Sequence, residues 1–231
     1  MWIDVGIAVI KAAIVVLMAL GLAGVLGWVE RKGSALIQDR IGANRASVFG
    51  FAGLGLVNTM MADPIKFLTK EDIIPDGVDR LLHTLAPCVN LFPALVAFAA
   101  IPFGDVLQVG TRVITLQAVQ LNVGVLYILA MASLGVYGVV LGGWASNNRL
   151  SLLGGIRGSA QMISYEIGLG LSIVAMVMTY GSLDLQEMVR AQGHLIGGWI
   201  PAWGILYQPL GFLKFLTAGI AESKRVPFDL P

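Results

Sequence analysis

Between Val119 and Trp144 the chain carries no Asp, Glu, Lys or Arg, and neither does the run from Ala12 to Trp28. A hydrocarbon core about 30 Å thick is crossed by roughly 20 helical residues. Inside it, each backbone N–H and C=O must find its partner within the protein, so an apolar run of this length dictates a helix. Composition agrees: 57% of residues are hydrophobic and 13% charged, with a mean hydropathy of +0.81, whereas soluble domains carry about 25% charged residues. The fold class read from this pattern is an all-α membrane protein. It has about five transmembrane helices plus a cytoplasmic amphipathic helix, and forms a single polytopic domain over residues 1–231.

The five expected spans are Ile3 to Val29, Leu85 to Phe103, Val119 to Trp144, Ser159 to Met178 and Ile200 to Ala221. Pro87, Pro93 and Pro102 predict kinks or irregular ends in the second. Lys11 in the first is expected to snorkel to the nearer interface. The first span is a poor signal peptide, because Glu30-Arg31-Lys32 stands where a small-residue cleavage region belongs. Orientation follows from the loops. Arg31, Lys32, Arg40, Arg45, Lys66, Lys70 and Arg80 lie between spans one and two, Arg149 and Arg157 between three and four, and Lys224 and Arg225 after five. The opposite side has Arg112 and Arg190. The positive-inside rule makes the crowded side cytoplasmic and puts the N-terminus outside.

The cytoplasmic segment 30–84 is too long for a simple connection. Arg40-Ile-Gly-Ala-Asn-Arg45 is turn-rich, with Gly42 and Asn44 suited to tight backbone geometry. Leu54 to Leu68 is apolar but too short to span, and reads as an amphipathic helix on the membrane face or as a membrane-hugging loop. Asp63-Pro64 reads as an N-cap and N1 pair that starts or restarts a helix.

Chemistry concentrates on Glu166, an acid about 10 Å along the fourth span at the helical rise. Insertion scales put a central acid at about +2.5 to 3.5 kcal/mol, and such residues commonly face a bundle interior or wet cavity on an ion or proton pathway. Gly142 to Arg157 reads as a polar cytoplasmic loop leading to Gln161, Tyr165 and Glu166. Arg149 and Arg157 in that loop either anchor helix ends or begin a polar lining. Lys214 precedes Glu222 by eight residues and is expected on a similar face. Glu222 either pairs with Lys224 or Arg225 or continues a proton path.

Other chemistry finds little footing. Cys88 is the single cysteine, and His83 and His194 are far apart, so no Cys-ligated zinc or iron–sulfur site is expected. No basic, aromatic-interleaved run points to nucleic acid. Gly53-Leu-Gly55 and Gly168-Leu-Gly170 lack the third glycine and preceding strand of a dinucleotide fold. Gly138-Val-Val-Leu-Gly142 reads as a close helix-packing pattern.

Six motifs together carry a family resemblance: Glu30-Arg-Lys, Arg40 to Arg45, Lys66 to Pro75, Gly142 to Arg149, Gln161 to Glu166 and Arg225-Val-Pro-Phe-Asp-Leu-Pro231. Over nearly its whole length the chain resembles the H subunit of NADH-quinone oxidoreductase, respiratory complex I, which is the quinone-chamber membrane subunit. The resemblance implies a membrane component that joins the membrane and peripheral arms in the bacterial inner membrane. Quinone is the implied substrate, and the iron–sulfur clusters, FMN and NADH are implied on partner subunits. It assigns Glu30, Arg31, Arg40, Arg45 and Lys66 to the quinone chamber, and Glu166 and Glu222, with Tyr165 and Lys214, to the proton path. Trp144, Asn147, Asn148, Arg149, Arg157, Arg225 and Asp229 are assigned to loops or interfaces. No catalytic residue and no metal are expected on this chain. Two departures accompany the match. Ala46-Ser-Val-Phe-Gly and a longer Gly/Leu-rich stretch replace the family's usual Gly-Pro and Leu-Gln-Pro, and the family continues past Pro231 into an acidic loop and about three more spans. The alternatives are the equivalent component of a membrane-bound hydrogenase, a non-redox ion carrier and a structural assembly anchor.

Overall fold

The computed structural model describes residues 2–42, 55–109, 112–196 and 198–224, with Phe228. These fall into two compact units, residues 13–74 and residues 1–12 with 75–231.

The 13–74 unit holds most of helix α1 (Trp2–Ile37) and all of α2 (Gly55–Thr69). Ile10, Ile14, Leu17 and others on α1 are exposed, as suits a helix surrounded by lipid. After α1 the backbone turns sharply. Asp39 and Gly42 take left-handed φ of 52° and 75°, and Arg40 N–H donates to Ala35 O at 2.9 Å. Glycine is needed at 42, because a Cβ there would lie 2.7 Å from that of Ala35. Helix α2 corrects one expectation. Asp63-Pro64 starts nothing, since Pro64 lies inside a continuous helix. The proline removes one backbone hydrogen bond, while Asp63 Oδ2 binds Arg31 Nη1 at 2.7 Å. In water such a half-exposed pair contributes under about 1 kcal/mol.

The second unit contains α3 (Arg80–Ala97) and a 3₁₀ turn (Phe98–Ala100), followed by the hairpin β1 (Val106–Val109) with β2 (Arg112–Thr115). Then come α4 (Gly124–Ala145), α5 (Arg149–Tyr180) and α6 (Leu185–Gln192), the short pair β3 (Leu195–Ile196) and β4 (Ile200–Pro201), α7 (Gly204–Tyr207) and α8 (Pro209–Glu222). Helices α3 and α4, α4 and α5, and α5 and α8 pack together. Among the described residues four helices are long and apolar enough to cross a membrane: Gly6–Ile37, Arg80–Ala100, Gly124–Ala145 and Arg149–Tyr180. The fifth expected span is not one helix. Gln208 separates α7 from α8, which begins at Pro209 and whose 14 residues rise about 21 Å.

The expected loop from Gly142 to Arg157 is also corrected. It shrinks to Ser146-Asn147-Asn148, with Trp144 still in α4 and both Arg149 and Arg157 already in α5. Asn147 takes φ 49°, and Asn148 caps α5 by accepting from Leu150 N–H at 2.9 Å. Two polar residues able to turn and cap suffice for this αα-hairpin. Packing is inverted relative to a soluble bundle. The residues that α5 buries are Gly155, Ser159 and Ser172, whereas Ile163, Ile167, Leu171, Val174 and Met178 form an exposed stripe reaching 80% exposure at Met178. Small residues inside and apolar ones outside is the pattern of helices packed in lipid.

Gly138 brings α3 and α4 into backbone contact: a Cβ there would meet Ala86 O at 2.8 Å and Asn90 N at 2.9 Å. Outside the spans, Arg190 Nη2 binds Asp105 Oδ1 at 2.6 Å and fixes α6 beside the hairpin. That carboxylate pushes the guanidinium pKa further above its ordinary value. Gly138→Val is expected to destabilise the α3–α4 pair by about 1–3 kcal/mol through overpacking. Thermal unfolding in detergent checks this, and an unshifted transition contradicts the contact.

Candidate functional site

The polar centre of the second unit is built where α4 and α5 face each other. Ser133 on α4 donates its hydroxyl to Glu166 Oε1 on α5. Its Oγ also lies 3.0 Å from Leu129 O, one turn back on α4. A serine hydroxyl has one proton and two lone pairs. It can donate to an ionised Glu166. It can also turn that proton to Leu129 O and accept from a protonated Glu166. The pair therefore serves either charge state of the acid without moving a helix. Glu166 is half-buried.

Glu222, at the end of α8, is within coulombic reach of Glu166. It lines a crevice of about 360 Å³ between α3, α4, α5 and α8, with Asn90, Met131, Gly135, Met162 and Gly219 on the walls. Asn90 and Ser133 are polar residues within apolar stretches of α3 and α4, and sequence reasoning passed over both. The signal was present, because a lone Asn or Ser in a span commonly hydrogen-bonds across a helix interface. The partner of Ser133, Glu166, could not be read without the packing.

Phe228, beyond α8, lies against α5. Gln161 Nε2 donates to Phe228 O at 3.1 Å, and the Tyr165 and Phe228 rings meet edge to face with centroids 5.4 Å apart. Residues of two sequence motifs thus meet, within the five residues of α5 that precede Glu166. Lys224 does not go to Glu222; its Nζ lies 3.5 Å from where a Cβ on Gly158 of α5 would stand. Arg225 and Asp229 lie outside the described residues, as does Arg45.

Lys214 departs from the expected shared face with Glu222. Eight residues advance a helix by two turns and about 80°. Lys214 is exposed and lines a different crevice, of about 510 Å³, with Gly168, Leu171, Ala175, Tyr207 and Leu210. In the 13–74 unit, Arg31 binds Asp63 as described, and Arg40 Nε donates to Gln38 Oε1 at 2.7 Å. Glu30 is near the end of α1 and Lys66 in the last turn of α2, both exposed. Among the described residues no cluster of three or more His, Cys, Asp or Glu could hold a metal ion.

A sequence model of the family described as NADH dehydrogenase matches residues 10–231. The chain is 50% identical over 204 residues to an H subunit of NADH-quinone oxidoreductase from Cytophaga hutchinsonii, covering 88% of this chain and 56% of that protein. It is 48% identical over 229 residues to an H subunit of the same oxidoreductase from Geobacter metallireducens, covering 99% and 66%. With the H subunit from Bdellovibrio bacteriovorus it shares 43% over 241 residues, covering 96% and 61%. The chain thus spans between 56% and 66% of the length of these relatives.

A double-mutant cycle on Ser133→Ala and Glu166→Ala, read by denaturant unfolding in micelles, is expected to give a coupling energy of about 0.5–3 kcal/mol. Strictly additive losses contradict the contact.

Proposed function

This chain belongs to the NADH dehydrogenase family, and from that premise we propose that it is a membrane component of a proton-pumping NADH:quinone oxidoreductase. In this reading it helps form the quinone-binding chamber and couples quinone reduction to proton transfer. The single observation that carries the reading is the intramembrane carboxyl of Glu166, held by Ser133, with the Glu222 carboxyl in coulombic reach.

The division of labour is as follows. NADH, FMN and the iron–sulfur clusters sit on peripheral partner subunits, which deliver electrons to a quinone that enters from the bilayer. Glu30, Arg31, Arg40, Arg45 and Lys66 border the chamber, and α2 lies along the cytoplasmic membrane face as an amphipathic helix. Arg149, Arg157, Arg225 and Asp229, with Trp144, Asn147 and Asn148, are assigned to loops or the interface with other subunits. Support for the quinone branch over a hydrogenase branch is that relatives at 43–50% identity are named as components of NADH-quinone oxidoreductase. Their bacterial sources and the apolar helices support a multi-pass position in the inner membrane.

Reduction of a quinone changes the charge of the chamber, and that change must reach the acids. At an effective dielectric of about 20, one unit charge acts on another about 10 Å away with roughly 1.7 kcal/mol, more than one pKa unit. At about 20 Å the effect halves and no longer decides a protonation state. Coupling over a long route therefore needs a series of acids at short intervals, and Glu222 and Glu166 are two consecutive members. Tyr165 and the Ser133 hydroxyl pass or orient the proton between them, and Lys214 supplies positive charge near the same helix pair. These groups carry protons and charge; they break no bond of the quinone.

Glu166→Gln in the assembled complex is the test. The amide keeps size and hydrogen bonding but cannot exchange a proton, so quinone reduction should slow and the protons moved per electron pair should fall. Quinone reduction and pumping that both persist unchanged remove Glu166 from the coupling route.

A further inference from the structure

We propose that Lys11, with Thr115, forms a binding site for the phosphate of an anionic phospholipid in the leaflet nearest the chain's N-terminus. Lys11 is the only Asp, Glu, Lys or Arg between Asp4 and Glu30. It does not simply extend into solvent. Its half-buried Nζ donates to Thr115 Oγ1 at 3.2 Å and to Gln117 O at 3.4 Å. Both acceptors are neutral, and an ammonium has three donors. Among the residues whose side chains are described, no carboxylate bonds to it.

What lies in front of the ammonium fits an anion with an apolar body. A cavity of about 350 Å³ opens beside Lys11, walled by Ile7 and Ala8 of α1 on one side and by Val113, Thr115 and Ala118 on the other. Thr115 accepts from Lys11 through a lone pair and keeps its own hydroxyl proton to give. Two donors therefore converge on the cavity, and one is charged, the arrangement that binds a phosphate oxygen most strongly. The remaining walls are aliphatic, and Val113 is 64% exposed, which suits the glycerol and the start of an acyl chain. Free phosphate shares the headgroup chemistry, but it would leave those aliphatic walls wet. The phospholipid satisfies both halves of the cavity. The cavity is separate from the crevice that Glu222 lines, and the proposal stands apart from the proton route.

The test uses the membrane complex that contains this chain, exchanged extensively into phosphatidylcholine nanodiscs after purification from membranes rich in phosphatidylglycerol. Retained phosphatidylglycerol is counted by native mass spectrometry for the natural protein and for Lys11→Met, Lys11→Arg and Thr115→Val. The natural protein and Lys11→Arg are expected to keep one phosphatidylglycerol that Lys11→Met loses, and Thr115→Val to keep it at lower occupancy. Equal retention in the natural protein and Lys11→Met overturns the proposal and leaves Lys11 a staple for the β1–β2 hairpin. If Lys11→Met does not assemble, unchanged retention in Thr115→Val overturns it instead. Lys11-dependent binding of radiolabelled inorganic phosphate, with no difference in lipid, overturns the lipid as the ligand.

Discussion

A carboxyl group inside a membrane must be answered by another polar group, and in this protein the answer is the hydroxyl of Ser133 on Glu166. The rest of the second unit is arranged so that this contact can exist. Helices α4 and α5 must approach closely, and they do so through Gly143 and Gly155, where an added Cβ on either would stand 3.3–3.4 Å from the other's Cα. The short turn at Asn147 and Asn148 sets the two helices side by side from the end where they join. Larger residues at these crossings would hold the helices apart, and the acid would be left without its donor. An unsatisfied buried group of this kind costs about 1–3 kcal/mol, more when it is charged.

The same logic explains why the exposed surface is apolar. Leu171 and Met178 on α5 and Leu126 on α4 point away from the bundle, where hydrocarbon makes no demand on them. Polar side chains turn inward or bond to their own helix, as Ser164 does to Ala160 O at 2.8 Å and Thr179 to Ala175 O at 3.0 Å. Gln208 performs the larger task. Its amide donates to Ala175 O at 2.9 Å and Thr179 Oγ1 at 2.6 Å, fixing the start of α8 against the last turns of α5. That anchoring, with the far end of α8 beside the 360 Å³ crevice, holds Glu222 at the crevice wall.

Helical class and four of the spans were legible from runs of uncharged residues, because lipid leaves the backbone no alternative. Glu166 was legible for the same reason: a charge in such a run is conspicuous. The misreadings share a cause. Asp63-Pro64 has the local chemistry of a helix start, but it lies inside the continuous helix Gly55–Thr69, where Asp63 pairs with Arg31. Gly142 to Arg157 looks like a loop by polarity, although two asparagines suffice to turn the chain. The apolar run Ile200–Ala221 looks continuous, yet the short strand Ile200–Pro201 and the non-helical Gln208 divide it. The partners Ser133 and Phe228 were not legible, because partnership between helices depends on rotation and depth, which a one-dimensional pattern does not carry. The family motifs identified Gln161-Met-Ile-Ser-Tyr-Glu166 and the segment containing Phe228 separately; their contact emerged only in three dimensions.

The central claim is that the Glu166 carboxyl changes its proton occupancy or hydrogen bonding when quinone is reduced. Redox-difference infrared spectroscopy of the assembled complex reads this directly, by comparing natural protein with Glu166→Gln. The account predicts a carboxyl carbonyl band that shifts or changes intensity on quinone reduction and is absent from the variant. Identical difference spectra in the carboxyl region, with quinone reduction intact in both, would contradict it.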